Sequence, residues 1–204
     1  MTNRYAAANV GRKVVVPSTL KESRKMVTRA DVEGWVIRNR IVHTDMEIDE
    51  IEDIIKRTGN LAPISELVRL FSRGEISRAA LTLFLPRAWV GREANSQVPV
   101  ETWRAMFEHI AYTEDGVVLP RPRRTVRAYR GATEANREGL SWSLDPGQAE
   151  YFARERQAPR DRTGQVWVVN IPADRVFARV VEGMEKEIVA DVRDLRILRV
   201  EQEA

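Results

Sequence analysis

Two acidic residues near the C-terminus, Glu185 and Glu187, have a spacing that suits the cleavage of a glycosidic bond. They follow a short loop at residues 182–184 and lead into the apolar run 188–190. Residues two apart on an extended segment share a face, so both carboxylates are expected on one side. One can stabilise an oxocarbenium-like centre while the other acts as base on the incoming nucleophile. The competing interpretation is a solvated charge pair on a hairpin.

A second motif, Ser141-Trp142-Ser143, places two hydroxyl groups on one face of a predicted strand and the indole on the other. Two hydroxyls on one face can orient a carboxylate or hold a sugar. The competing interpretation is a pair of exposed serines beside a tryptophan that packs in the core.

A third motif is a predicted strand that ends in Arg130 and Gly131. An arginine at a strand end can present its planar guanidinium to a phosphate or pyrophosphate. The glycine allows a backbone or a ligand to approach closely. The competing interpretation is a surface arginine on an edge strand.

Apolar periodicity predicts helices over residues 17–112, which would support these motifs from the N-terminal side. One helix follows the capping-box spacing of Thr44 and Glu47, carries an isoleucine stripe, and closes near Gly59. The stripe consists of Ile48, Ile51, Ile54 and Ile55. Other helices are predicted at 29–40, 63–71, 75–85 (ending at Pro86), and from about Pro99 with Trp103, Met106, Phe107 and Ile110 on one face.

After Asp115-Gly116 the pattern changes to short β-like runs, predicted at 125–129, 165–171, 176–181, 187–189 and 195–200. One helix interrupts them, with Asp145 as N-cap and Pro146 at its first position. The sequence therefore predicts an α+β protein with a helical N-terminal lobe (1–118) and a β-rich C-terminal lobe (119–204).

The order of the three motifs resembles the arginine–serine–glutamate class of ADP-ribosyltransferases, which includes clostridial binary toxins and vertebrate ectoenzymes. The likeness rests on AYRGAT around Arg130, GLSWSLD around Ser141, and GMEKEIVAD around Glu185 and Glu187. It covers roughly residues 124–192. It implies a helical lobe packed on an ADP-ribosyltransferase-like β-sandwich, together one continuous NAD-binding domain.

By this resemblance the substrate is NAD⁺, and the reaction is mono-ADP-ribosyl transfer with release of nicotinamide. Glu187 would hold the nicotinamide ribose and stabilise the oxocarbenium ion, and Ser141 would orient Glu187. Arg130, with Gly131, would hold the dinucleotide phosphates. Trp142 and Phe152 are further candidates for cofactor contacts, although core packing competes for both. No metal site is implied.

The acceptor follows from Glu185, because a glutamate at that place in the family accompanies arginine acceptors. The resemblance thus implies a macromolecular acceptor, a protein arginine, in a bacterial host cell. A basic cluster at Arg121, Arg123, Arg124 and Arg127 also keeps a nucleic-acid acceptor open. Two alternatives remain at this stage: an NAD⁺ glycohydrolase that uses water at the same site, and a non-catalytic protein of this fold that binds a phage or host factor.

Composition supports a globular protein and limits the classes of function. The 204 residues are 43% hydrophobic and carry a net charge of +3, so strong nucleic-acid binding by the whole protein is not demanded. Arginine supplies 28 of the 33 basic residues. This bias is typical of bacterial or phage proteins encoded by GC-rich DNA. With no cysteine and no run of 18 apolar residues, a cytoplasmic protein without membrane contact is expected.

Overall fold

Five helices and eight strands form the part of the chain that the computed structural model describes: residues 29–30, 33–34, 45–58, 63–90, 97–156, 164–180 and 186–201. The helices are α1 (Asp45–Thr58), α2 (Ile64–Ser72), α3 (Arg78–Val90), α4 (Val100–His109) and α5 (Pro146–Tyr151). Of the first predicted helix, residues 29–30 and 33–34 are helical. Thr44 and Gly59, the predicted ends of the next one, lie outside the described residues. Within the described part, no helix is both long and apolar enough to span a bilayer.

The helices α1 to α4 share one apolar core, as their periodicity predicted. The isoleucine stripe of α1 is buried, with Ile51 and Ile54 at 0% and 1% exposure. Helix α4 begins after Pro99 and buries Trp103, Met106 and Phe107, which confirms its predicted face. Helix α3 is buried along most of its length, so it lies at the centre of this layer.

Helix α3 corrects one prediction, because it continues through Pro86 to Val90 instead of ending there. Proline cannot donate to the carbonyl four residues earlier, which costs roughly 3 kcal/mol or more. Leu85 and Trp89 are nevertheless buried in the helical core. Burial of each large apolar side chain contributes about 1.5–3 kcal/mol, so packing on both sides of the proline offsets that cost. The extra turn determines where Trp89 lies.

All described strands join one sheet in the order β2-β1-β6-β7-β4-β3-β5-β8. The strands are β1 (Thr113–Glu114), β2 (Val117–Val118), β3 (Val126–Ala132), β4 (Ser141–Ser143), β5 (Gln165–Ile171), β6 (Val176–Val180), β7 (Glu187–Ala190) and β8 (Leu198–Arg199). Four of the five predicted runs are confirmed with changes of a few residues at their ends, residue 181 lying outside the described part. The fifth, 195–200, contains only the two-residue strand β8. The α+β class is also confirmed, and the ADP-ribosyltransferase-like sandwich stays a prediction.

The two faces of this sheet are covered differently. Ala178 and Val189 point into the core of the helical layer, so we call their side the helical face. Neighbouring residues such as Ile188 and Ala190 point the other way, into a core of strand residues covered by Tyr112 and loop residues. The loop residues are Leu119, Leu144, Leu195 and Ile197.

Strands β1 and β2 form a hairpin directly after the predicted helices, inside the lobe assigned to residues 1–118. They are joined by Asp115 and Gly116, whose φ angles are 48° and 78°. Two left-handed residues in a two-residue connection are typical of a type I′ turn, for which Asp-Gly is a preferred sequence. Strand β1 also pairs in parallel with β6, so the sheet begins within the lobe assigned to residues 1–118.

Gly131 is required for the packing of α5 on the sheet. A Cβ atom at this position would lie 2.0 Å from the backbone oxygen of Ala149 and 2.5 Å from the nitrogen of Ala153. We therefore expect Gly131→Ala to lower the free energy of unfolding by about 1–3 kcal/mol, because backbone must move to admit the methyl group. Urea denaturation measures the change.

The matched control for this prediction is Gly147→Ala, which adds the same methyl group to the first turn of α5. Its nearest contact would be a side-chain oxygen of Asp145 at 3.3 Å. The control is expected to change stability by less than about 1 kcal/mol. Equal effects of the two substitutions would contradict the close approach at Gly131.

Candidate active site

The three sequence motifs lie on three adjacent strands at the centre of the sheet. Strand β4, with the two serines, pairs with β7 on one side and with β3 on the other. Ser143 pairs with Glu187, and Ser141 pairs with Val189. Directly paired residues point to the same side of a sheet. Ser141, Ser143 and Glu187 therefore share the helical face.

Glu187 is buried under the helical layer, with 5% exposure. Its Oε1 atom accepts a hydrogen bond of 3.1 Å from the Nε1–H of Trp89, which lies in the last turn of α3. No sequence pattern indicated this contact, since the two residues are 98 positions apart and α3 was predicted to end before Trp89. The catalytic candidate is therefore held between a strand and a helix of the other layer.

The two serines of β4 occupy different positions relative to Glu187. Ser143 is paired with it and is itself buried. The hydroxyl of Ser143 also accepts a bond of 3.0 Å from the backbone N–H of Asp145. Asp145 in turn caps α5 by accepting from Gly147 N–H, which confirms the predicted N-cap. Ser143 thus connects the strand to α5, and the predicted orienting role of Ser141 stays a prediction.

Arg130 lies on the neighbouring strand, but the alternation of β3 gives it the face opposite Glu187. Tyr129 pairs with Ser143, and Arg130 is the next residue. Its guanidinium donates to two backbone carbonyls of the β3–β4 connection, Asn136 at 3.0 Å and Ser141 at 2.6 Å. A Cβ atom at Gly139 would lie 2.4 Å from this guanidinium. The described bonds of Arg130 therefore hold the start of β4, and a contact with phosphate stays a prediction.

The other predicted cofactor residues separate into two groups. Trp142 lies in the core on the loop-covered face, with 1% exposure, and donates to the carbonyl of Gly139 at 2.7 Å. This places its indole in the core, and a contact of Trp142 with a cofactor stays a prediction. Phe152 is half-buried and its Cβ lies over Gly131, on the same side of the sheet as the serines. Phe152 therefore lies on the face that carries Glu187, whereas Trp142 packs on the opposite, loop-covered face.

Glu185, the predicted residue for the acceptor, lies outside the described residues. The chain resumes at Lys186, which has a left-handed φ of 36°. A pocket of about 460 Å³ adjoins this point, lined by Leu144, Asp145, Pro146, Arg179 and Lys186. Arg179 pairs with Ile188, so the pocket opens on the face opposite Glu187. Among the described residues, no group of three or more acidic or histidine side chains is arranged to hold a metal ion.

The other end of β7 is anchored by Asp191, a buried carboxylate that contacts three arginines. Arg175 lies 3.1 Å from it, Arg193 lies 2.8 Å from it, and buried Arg104 of α4 approaches to 3.5 Å. Burial raises the pKa of Asp191. Hydrogen bonds from the Arg193 side chain and backbone lower it, as do the positive charges of Arg193 and Arg104, and these effects together exceed that of burial. The net pKa lies below the ordinary value of 3.8.

This lowered pKa predicts a loss of stability in acid. A carboxylate with a lower pKa in the folded than in the unfolded state stabilises the fold above the unfolded value, and that contribution disappears as pH falls through the folded value. We expect the free energy of unfolding to decrease as pH falls below about 4. Urea denaturation between pH 6 and pH 2.5 measures it. Asp191→Asn should show a shallower decrease; an identical decrease would contradict the assignment to Asp191.

Comparisons of the chain with protein-family models, with curated proteins and with solved structures found no match. What supports a function is therefore the arrangement of residues within this chain.

Proposed function

We propose that the protein is a mono-ADP-ribosyltransferase that transfers ADP-ribose from NAD⁺ to a macromolecular acceptor. The observation that carries the proposal is that Glu187 on β7 and the serine motif on β4 lie on paired strands and share one face. Ser143 and Glu187 are 44 residues apart in the sequence (187 − 143) and are paired directly in the sheet. Arg130 lies on the next strand, β3, with its side chain on the opposite face.

The proposed chemistry uses Glu187 on the glycosidic bond between ribose and nicotinamide. Departure of nicotinamide leaves the bonding electrons on its ring nitrogen and positive charge on the ribose. The Glu187 carboxylate, buried at 5% exposure, stabilises that charge. A preplaced charge acts strongly where water is excluded, and removal of one such group typically lowers the rate by about 10²–10³. The burial of Glu187 and its bond from Trp89 support this role.

The remaining residues of the proposal position the substrate. Ser143 and Ser141 line the same face as Glu187, and Phe152 lies over Gly131 at the edge of that surface. In this proposal Arg130 fixes the start of β4 through its two carbonyl contacts, in addition to the phosphate contact that the resemblance implies. Each of these side chains acts from a strand or helix, which keeps a site more rigid than a loop does.

For the acceptor we propose an arginine side chain of a bacterial protein. A guanidinium is a poor nucleophile until a carboxylate orients it and takes its proton. Glu185 is two residues before Glu187 and supplies that group in the proposed reaction. The guanidinium nitrogen forms the new bond to the ribose carbon, and its proton passes to Glu185.

The proposal is tested with NAD⁺ labelled in its adenylate half, incubated with purified protein and a bacterial lysate. We expect label on a macromolecule in the presence of wild-type protein, and competition by a small guanidine such as agmatine. Labelled free ADP-ribose without a labelled acceptor would show that the protein hydrolyses NAD⁺ and does not transfer ADP-ribose. Intact NAD⁺ in all samples, with the protein folded, would overturn the proposal in favour of a non-catalytic binding protein.

A further inference from the structure

Trp89 connects the helical layer to the carboxylate of Glu187. Its Nε1–H donates to Oε1 of Glu187 at 3.1 Å, and both side chains are buried. An indole nitrogen only donates, so the oxygen that it faces must act as an acceptor. The bond therefore constrains the direction of Oε1.

The indole is itself held in place by aromatic neighbours from α4. Its ring meets Trp103 at 5.1 Å and Phe107 at 5.3 Å, both with interplanar angles of 85°. Edge-to-face contacts at these distances are favourable for aromatic pairs. Phe107 also stacks on Phe177 of β6, at 6.0 Å and 10°. A continuous set of rings thus runs from the sheet through α4 to the donor of Glu187.

We infer that Trp89 is a positioning residue for the reaction, acting through Glu187; this inference rests on the proposed function. A carboxylate that stabilises an oxocarbenium ion must be aligned with the ribose, and small misplacements of such groups reduce rates about 10²-fold. The turn of α3 beyond Pro86 supplies this alignment. The helical layer therefore contributes to turnover as well as to stability.

The test is Trp89→Phe, which keeps an aromatic ring for the packing and removes the N–H donor. Loss of a hydrogen bond to a charged group corresponds to roughly a 10- to 100-fold change. We expect kcat for nicotinamide release to fall by about that factor, with KM for NAD⁺ changed less than about threefold. Trp167→Phe is the matched control, because it also removes a buried indole N–H donor, here to the carbonyl of Ala132, and leaves the Trp89 donor and its ring contacts unchanged; its kcat should stay within about threefold of wild type.

A double variant separates positioning from a general structural effect. If Trp89 acts through Glu187, Trp89→Phe will add little to the defect of Glu187→Gln, because coupled residues are not additive. Full additivity, or equal losses in the Trp89 and Trp167 variants, would overturn this inference and leave the proposed function standing. Absence of nicotinamide release from folded wild-type protein would overturn both.

Discussion

Replacing Asp191 with asparagine is expected to lower the free energy of unfolding by about 3–5 kcal/mol, the usual cost of removing one partner from a buried ion pair. Asparagine keeps the size of the side chain but removes its charge. Arg104, with 5% side-chain exposure, would then retain a buried positive charge next to a neutral group. Its Nε atom already has no hydrogen-bond partner. Urea denaturation at pH 7 measures the loss.

The matched comparison is Glu134→Gln, which removes a carboxylate from an exposed pair with Arg137. An exposed pair contributes about 0–1 kcal/mol, so this variant should unfold nearly as wild type does. Adding Arg104→Met to Asp191→Asn should recover part of the stability, because it removes a buried charge whose remaining carboxylate partner is the exposed Glu101. If Asp191→Asn lowers the free energy of unfolding by less than about 1 kcal/mol, Asp191 does not anchor β7.

Glu187→Gln is expected to reduce kcat for nicotinamide release by at least about 10²–10³ while the protein stays folded. The amide retains an oxygen that can accept from Trp89, so the contact between helix and strand is preserved. The negative charge that, in the proposed reaction, stabilises the oxocarbenium ion is lost. Steady-state kinetics over a range of NAD⁺ concentrations measures the effect, and thermal unfolding checks the fold.

Glu201→Gln is the control for this prediction, because it makes the same chemical change at an exposed position after β8. Its kcat should equal that of the wild type. Comparable turnover by the Glu187 and Glu201 variants would show that Glu187 does not take part in the reaction.

Hydrophobic periodicity predicted much of this fold, because the pattern within one segment reflects which of its own residues are buried. The isoleucine stripe of α1, the buried face of α4 and the span of β5 were all recognisable from alternating or helical patterns. Pro86 was misleading because packing on both of its sides outweighs the lost hydrogen bond. The Asp115-Gly116 hairpin was missed, although its turn sequence was present, because its two strands have only two residues each.

The site was predictable only in part, because the strand motifs are local in the sequence whereas the register between strands and the packing between layers are not. Motif order indicated that Ser141, Ser143 and Glu187 belong together, and the strand register brings them to one face. The sequence did not reveal that Arg130 alternates to the other face, since that depends on the register between β3 and β4. Nor did it reveal Trp89, whose contact with Glu187 is created by packing between layers.

The central claim is that this site cleaves the nicotinamide–ribose bond of NAD⁺. The most direct measurement is the release of nicotinamide from NAD⁺ by purified wild-type protein, with bacterial lysate added to supply acceptors. We expect nicotinamide to accumulate with time and with the concentration of wild-type protein, above the level in lysate alone. No release above the lysate alone, from protein shown to be folded by circular dichroism, would contradict it.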